Sequence, residues 1–361
     1  MTQYNLDILA GPTAYRHIQE NGLQPSDITR IMGASGASKW LTIAGLDIVI
    51  FGDWLAESRH DISLFGTSVG AFKLAAAASS NSAEKLTQLA DLYAAYDDSG
   101  LSGSMRDVIT QSTRNMIHTV LNREISEQIL NNPRFRYHCG TVRPLGWFAA
   151  DSLAQQSMAL TSALAKSPFS RTELSHLCER VIFQDPRSRE SIVQGDAYPT
   201  TVLDLTPDNL IDAVMSSGSM PVYMHPVSHT VQEKRENLYD GGMLDYHPVP
   251  DVFWQPDHGL TLYPHFYSTV KLKWFDKFYP WRRAGARELD RVILLCPSRA
   301  FIDTLPDRRI PSRQDFRRYA KNPDIRAQKW TETVERSHEL GYDFMQVVQS
   351  GDIAKRVKLI T

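Results

Sequence analysis

The stretch Asp61-Ile62-Ser63-Leu64-Phe65-Gly66-Thr67-Ser68-Val69-Gly70-Ala71 constrains the fold more than any other part of the chain. Ile62, Leu64 and Phe65 read as a short apolar strand, and Ala71 to Ala78 is a run of strong helix formers. Between them lies G-x-S-x-G. A serine held on a sharp strand-to-helix turn needs small neighbours, because a Cβ on either side would meet adjacent backbone. The helix that follows points its positive end at the serine, which favours negative charge developing there. Ser68 is therefore the candidate nucleophile, with Gly66 and Gly70 as the elbow glycines.

The preceding segment repeats the pattern. Ile28 to Met32 reads as a core strand, Gly33 to Lys39 as a small-residue loop, and Trp40 to Ala56 as an apolar helix. Two strand–loop–helix units in succession predict a parallel α/β sheet. The first loop offers backbone N–H groups at a helix start, where an oxyanion or a phosphate could sit. It is not a P-loop, since Ser38 stands where glycine is required and Trp40 where Ser or Thr is required. It also lacks the G-x-G-x-x-G of a dinucleotide site. No cofactor is expected.

Further along, residues 83 to 131 read as mainly helical, and Phe135 to Thr141 as a strand. Ala149 to Lys166 reads as helix, and 180–183 and 200–203 as strands. Thr206-Pro207-Asp208 has the cap, N1 proline and acidic first turn of a helix start. Glu236 to Tyr239 is a short strand ending at Asp240-Gly241-Gly242, where a carboxylate followed by two glycines can face a reacting group. Arg291 to Leu295 is a buried-type strand and Ile325 to Ser350 a closing helix. Pro221 to Val227 reads as an extended run. The expected organisation is an N-terminal helix within 1–25, a catalytic core over 26–250, and an extension over 251–361 packed on that core.

Composition narrows the function. The chain has 361 residues and a net charge of −2, which gives no basic balance for a nucleic-acid partner. Cys139, Cys178 and Cys296 are too few and too scattered for a disulfide scaffold or a metal site. The first residues lack the basic region and long apolar run of a signal peptide, so a cytoplasmic location is expected. The apolar run from Leu41 to Trp54 is broken by Asp47 and Asp53 and is too short to span a bilayer. Residues 264–283 interleave seven aromatics with lysine and arginine, the composition of a peripheral membrane contact. His225, His229 and His247 lie near the aspartate motif in sequence, so a Ser–Asp–His triad is an open alternative to a histidine-free site.

Taken in order, these motifs resemble the patatin-like phospholipase family. The elbow is Gly66-Thr67-Ser68-Val69-Gly70, the proline run is Pro221 to Val227, and the aspartate motif is Asp240-Gly241-Gly242 with Pro248 after it. The oxyanion loop aligns with Ser35-Gly36-Ala37-Ser38-Lys39-Trp40, where Ser35, Ala37 and Trp40 replace glycines. Tyr246 stands where the family usually has asparagine. The resemblance covers about residues 28 to 250. It implies a three-layer α/β/α sandwich with a mainly parallel sheet, and a lipid acyl hydrolase of phospholipase A or lysophospholipase type. It implies a Ser68–Asp240 dyad that works through an acyl-enzyme, with Gly36, Ala37 and Lys39 holding the oxyanion. The implied partner is a phospholipid or other acyl ester. The alternatives are a thioesterase or acyltransferase on the same scaffold, and a non-catalytic lipid-binding protein. Thr67 stands where malonyl-transacylase relatives carry histidine.

Overall fold

The computed structural model describes residues 4–96, 101–150, 152–169, 173–189, 192, 195–255 and 259–360. Its strands are β1 (Leu6–Ala10), β2 (Ile28–Gly33), β3 (Ile62–Gly66), β4 (Phe135–Pro144), β5 (Cys178–Gln184), β6 (Thr200–Asp204), β7 (Val227–Val231), β8 (Lys234–Asp240), β9 (Leu260–Pro264), β10 (Val292–Pro297) and β11 (Lys358–Leu359). They form one sheet in the order β11-β1-β10-β9-β2-β3-β4-β5-β6, with β8 also paired to β4 and β7 to β8. From β10 through β9, β2 and β3 to β4 every pairing is parallel. This is an α/β fold.

The side-chain alternation of the strands makes the layers. Ile31, Leu64, Val181, Leu262 and Ile293 enter one core, while their neighbours Met32, Phe65, Ile182, Tyr263 and Leu294 enter a second core on the opposite face. The first face is covered by helices Ala44–Val49, Val69–Ala77, Ser82–Ala94 and the 27-residue Pro323–Gln349. The second face is covered by helix Leu153–Lys166 and by chain with short 3-10 turns at Pro250–Val252 and Trp274–Phe278. These five strands, buried on both faces, are mostly apolar, with Arg30 on β2 and Arg136 and Arg143 on β4 as the charged exceptions.

The departures from the sequence reading are local. The helix expected over 40–56 is a 3-10 turn (Ala37–Ile43), a short α-helix (Ala44–Val49) and a π turn (Ile50–Trp54). The helix expected from Thr206 starts at Leu210. Thr206 N donates to Asn209 Oδ1 at 2.8 Å and Asn209 N to Thr206 Oγ1 at 3.2 Å, which closes a separate turn first. Pro221 to Tyr223 is a turn rather than extended, with Val222 at φ 71°, and the strand begins at Val227. The N-terminal segment contains a strand, β1, before its helix Pro12–Asn21, and a further strand, β9, leads into the region marked by aromatics. Residues 97–100 and 151, inside expected helices, lie outside the described residues.

Candidate active site

The site lies at the carboxyl ends of β2, β3 and β9, where open parallel sheets bind ligands. The elbow forms as β3 ends at Gly66 and helix Val69–Ala77 begins. Ser68 sits between them at φ 55° and ψ −132°, a conformation that costs any residue with a Cβ about 1–3 kcal/mol. The surroundings hold it there. A Cβ on Gly70 would lie 2.2 Å from the Gly33 carbonyl oxygen, so the ends of β2 and the elbow touch backbone to backbone.

Asp240 reaches Ser68 through β4. This strand pairs with β3 only as far as Gly66↔Cys139. Its other edge is taken by β5 from Cys139 onward. The edge vacated by β3 is filled by β8, running the opposite way, with Asp240 opposite Thr141. Two strand ends thus meet head-on along one edge of β4. The turn Ser217–Ser219 ties them together: Ser68 N donates to Ser217 O and to Ser217 Oγ at 3.0 Å each. Ser217 Oγ donates to Gly140 O at 2.7 Å, and Asp240 N donates to Ser219 O at 2.9 Å.

The Asp240 carboxylate is buried, accepts from Gly242 N at 2.7 Å, and lines the same cavity as Ser68. Burial raises its pKa to about 6. The Gly242 bond, Arg313, the Ser68 hydroxyl and Lys277 pull the other way. Gly242 is required by close approach, since a Cβ there would meet Ser35 Oγ at 2.3 Å.

Gly36 and Ala37 lead the 3-10 turn after β2, and their backbone N–H groups have no backbone acceptor among the described residues. Ala37 takes φ 53°. Ser35 is anchored instead: its N–H donates to Tyr246 O at 2.8 Å and its hydroxyl lies 2.8 Å from Thr67 Oγ1. Trp40 points into the core, where its indole donates to Asp47 Oδ2 at 2.8 Å and Lys73 pairs with the same carboxylate. The bulk that replaces glycine therefore stays out of the pocket. Lys39 does enter it, donating to the Tyr246 hydroxyl at 3.2 Å, and burial lowers its pKa.

The three histidines are engaged elsewhere. His225 pairs with Asp107 at 2.8 Å, His229 with Ser216 Oγ at 2.8 Å, and His247 Nδ1 accepts from Lys271 N at 2.9 Å. Only Ser68 and Asp240 of the proposed proton-transfer groups face the cavity of about 560 Å³. Its far wall was not read from sequence: Trp274, Lys277 and Phe278, together with Arg309, Ile310 and Arg313, come from the last hundred residues. For Trp274, Lys277 and Phe278 the only sequence signal was the aromatic and basic composition of 264–283.

A serine on a strained elbow, sharing a pocket with a buried acid at the ends of parallel strands, defines the α/β class whose esterases carry their nucleophile in this way. The patatin-like phospholipase model matches residues 63–253, over half of the chain, and the chain belongs to that family of lipid acyl hydrolases. Among curated protein sequences none matches it. Among solved structures it is similar to VipD from Legionella pneumophila, at 12% identity over 97% of this chain and 71% of that one, with a TM-score of 0.37.

Proposed function

We propose that the chain hydrolyses carboxylic esters of lipids with Ser68 as nucleophile and Asp240 as its base. The observation that carries this reading is the placement of Ser68, on a strained elbow, in the same pocket as the buried Asp240 carboxylate, near enough for its hydroxyl to favour that group's charge. Asp240 takes the hydroxyl proton as Oγ attacks the ester carbonyl. A base with a pKa of about 6 is ionised at neutral pH and still accepts a proton readily. The carbonyl oxygen becomes an oxyanion facing the free N–H groups of Gly36 and Ala37, with the Lys39 charge nearby. The proton then passes to the departing alcohol, and the acyl group stays on Ser68. Water attacks the acyl-enzyme with Asp240 again as base, restoring the serine.

The mouth of the pocket meets a lipid surface through Phe278, Trp281 and Phe169. What supports this is their exposure, 52%, 73% and 92% of their area. Arg282 donates to Ser167 O and Pro168 O, which sets Trp281 and Phe169 close together. Phe266 and Phe275, counted in this surface from sequence, are buried and do not belong to it.

The test is kcat on a soluble p-nitrophenyl ester, with fluorophosphonate labelling alongside. Ser68→Ala should neither turn over nor label. Asp240→Asn should lose about 10²-fold to 10⁴-fold in kcat. His225→Ala, His229→Ala and His247→Ala should each stay within about tenfold of the parent, since none carries the proton transfer. A histidine variant falling as far as Asp240→Asn would replace the dyad with a triad.

A further inference from the structure

Three cations converge on the proposed catalytic pocket from parts of the chain outside the matched family segment: Lys39, Lys277 and Arg313. All three line the cavity beside Ser68 and Asp240. Partial desolvation of its ammonium group, followed by the charges of Arg313 and Lys39, pushes Lys277 down to about 8. None of the three has a carboxylate within salt-bridge distance among the described residues. Arg309, the fourth cation of the wall, is neutralised by Asp315 and Asp307. The pocket therefore sets three uncompensated cations against the single carboxylate of Asp240.

The aromatic walls argue in the same direction. An aromatic-lined pocket can bind a quaternary ammonium by presenting ring faces to it. Here the protein's own ammonium groups already stand near these rings. Lys277 Nζ lies 4.3 Å from the Trp274 ring centre and 4.9 Å from that of Phe278. Lys39 Nζ lies 5.5 Å from the Phe266 ring centre, 5.7 Å from Tyr267 and 5.9 Å from Tyr246. A choline head group would have to compete there with these ammonium groups, in a net positive field.

We propose that Lys39, Lys277 and Arg313 form an anion-recognising subsite that selects lipid esters with a net-anionic phosphate head group over choline lipids. This rests on the hydrolase reading above. The phosphate diester lies among the three cations while the scissile ester reaches Ser68. Arg313 and Lys277 act on substrate selection and come from segments that a search for the elbow and aspartate motifs would pass over.

The experiment compares the full chain on dihexanoyl phosphatidylglycerol and dihexanoyl phosphatidylcholine, both kept below micelle formation so that no charged interface contributes. The ratio of kcat/KM is read, so any loss common to both lipids cancels. The parent should favour the glycerol head group by about tenfold or more, since exposed to half-buried charge pairs act at that scale. Lys277→Gln with Arg313→Gln should bring the ratio to about twofold, through a rise in KM for the anionic lipid. Lys277→Arg, which keeps the charge, should retain the preference. Inorganic phosphate at the lipid concentration should inhibit far more weakly than the anionic lipid; equal inhibition would make this a site for free phosphate and overturn the assignment. Labelled, active enzyme with no head-group preference, or with a preference that survives the double substitution, would reject the subsite while leaving the dyad intact. An absence of labelling and of all ester hydrolysis would instead reject the hydrolase reading itself.

Discussion

A carboxylate that titrates near pH 6 ties activity and stability together with opposite signs. Asp240 is held above the ordinary carboxylate value of 3.8, mainly because burial disfavours its charge. Proton transfer needs the ionised form, so kcat/KM should climb through an apparent pKa of about 6. Folding is affected in reverse. A folded pKa above the unfolded one means the neutral acid is favoured by the fold, and that stability is lost as pH rises through 6. Asp240→Asn keeps an acceptor for Gly242 N and removes the charge. It should be nearly inactive yet more stable than the parent at pH 8, by at most about 3 kcal/mol, with the difference vanishing near pH 4. Thermal melts of the two proteins across this range would show it. Ser68 stores a second cost, in its backbone. Ser68→Gly and Ser68→Ala should be equally inactive, but the glycine variant should be about 1 kcal/mol more stable in denaturant titrations, because glycine adopts φ 55° without strain.

At the level of elements, the site depends on two strand ends sharing one edge of β4, and Ser217 is the pin between them. Its hydroxyl accepts from Ser68 N and donates to Gly140 O, so it fixes the elbow against β4, whose next residue, Thr141, pairs with Asp240 on β8. Ser217→Ala leaves these groups without the hydroxyl, at a cost of about 1–3 kcal/mol. The expected result is a loss of roughly tenfold in kcat with KM within about twofold, because the substrate wall is untouched. A change confined to KM, or a fall in stability with normal kcat, would show that the serine only packs. Gly33 and Gly70 lie at the same junction, where a Cβ on Gly70 would be 2.2 Å from backbone oxygen, so Gly70→Ala cannot be absorbed by a rotamer change and should destabilise the fold.

For the molecule as a whole, the pocket is a meeting place of distant segments: 35–39 and 68, 220–246, 267–278 and 309–314. The last two bring Lys277, Arg313 and the exposed Phe278 to one mouth. Phe169→Ala with Trp281→Ala removes exposed apolar area without altering the pocket lining. Partitioning onto anionic vesicles should fall by roughly tenfold or more, given the transfer free energy of two aromatic side chains. Cleavage of a soluble ester should be unaffected. Vesicle sedimentation with both proteins checks this, and unchanged partitioning would reject the proposed membrane face.

The local code was complete for part of this. Glycine at 66 and 70 around Ser68, an apolar strand before and helix formers after, specify an elbow by steric and helix-propensity rules that act over a few residues. Asp240 at a strand end before two glycines was legible for the same reason, as were β2, β4, β5 and the closing helix. What the sequence could not decide was contact over long separations. That β8 occupies the edge abandoned by β3 follows from strand pairing between residues about a hundred apart, and no local pattern encodes it. The direction of Trp40 was set by a buried partner, Asp47, and by Lys73 on another helix. The histidines were close to Asp240 in sequence, but each is committed to another neighbour in the fold. Lys277 and Arg313 carried no motif at all. They became part of the site only because the C-terminal strands enter the middle of the sheet and bring their following loops over the elbow, where these exposed charges line the same cavity as a buried carboxylate.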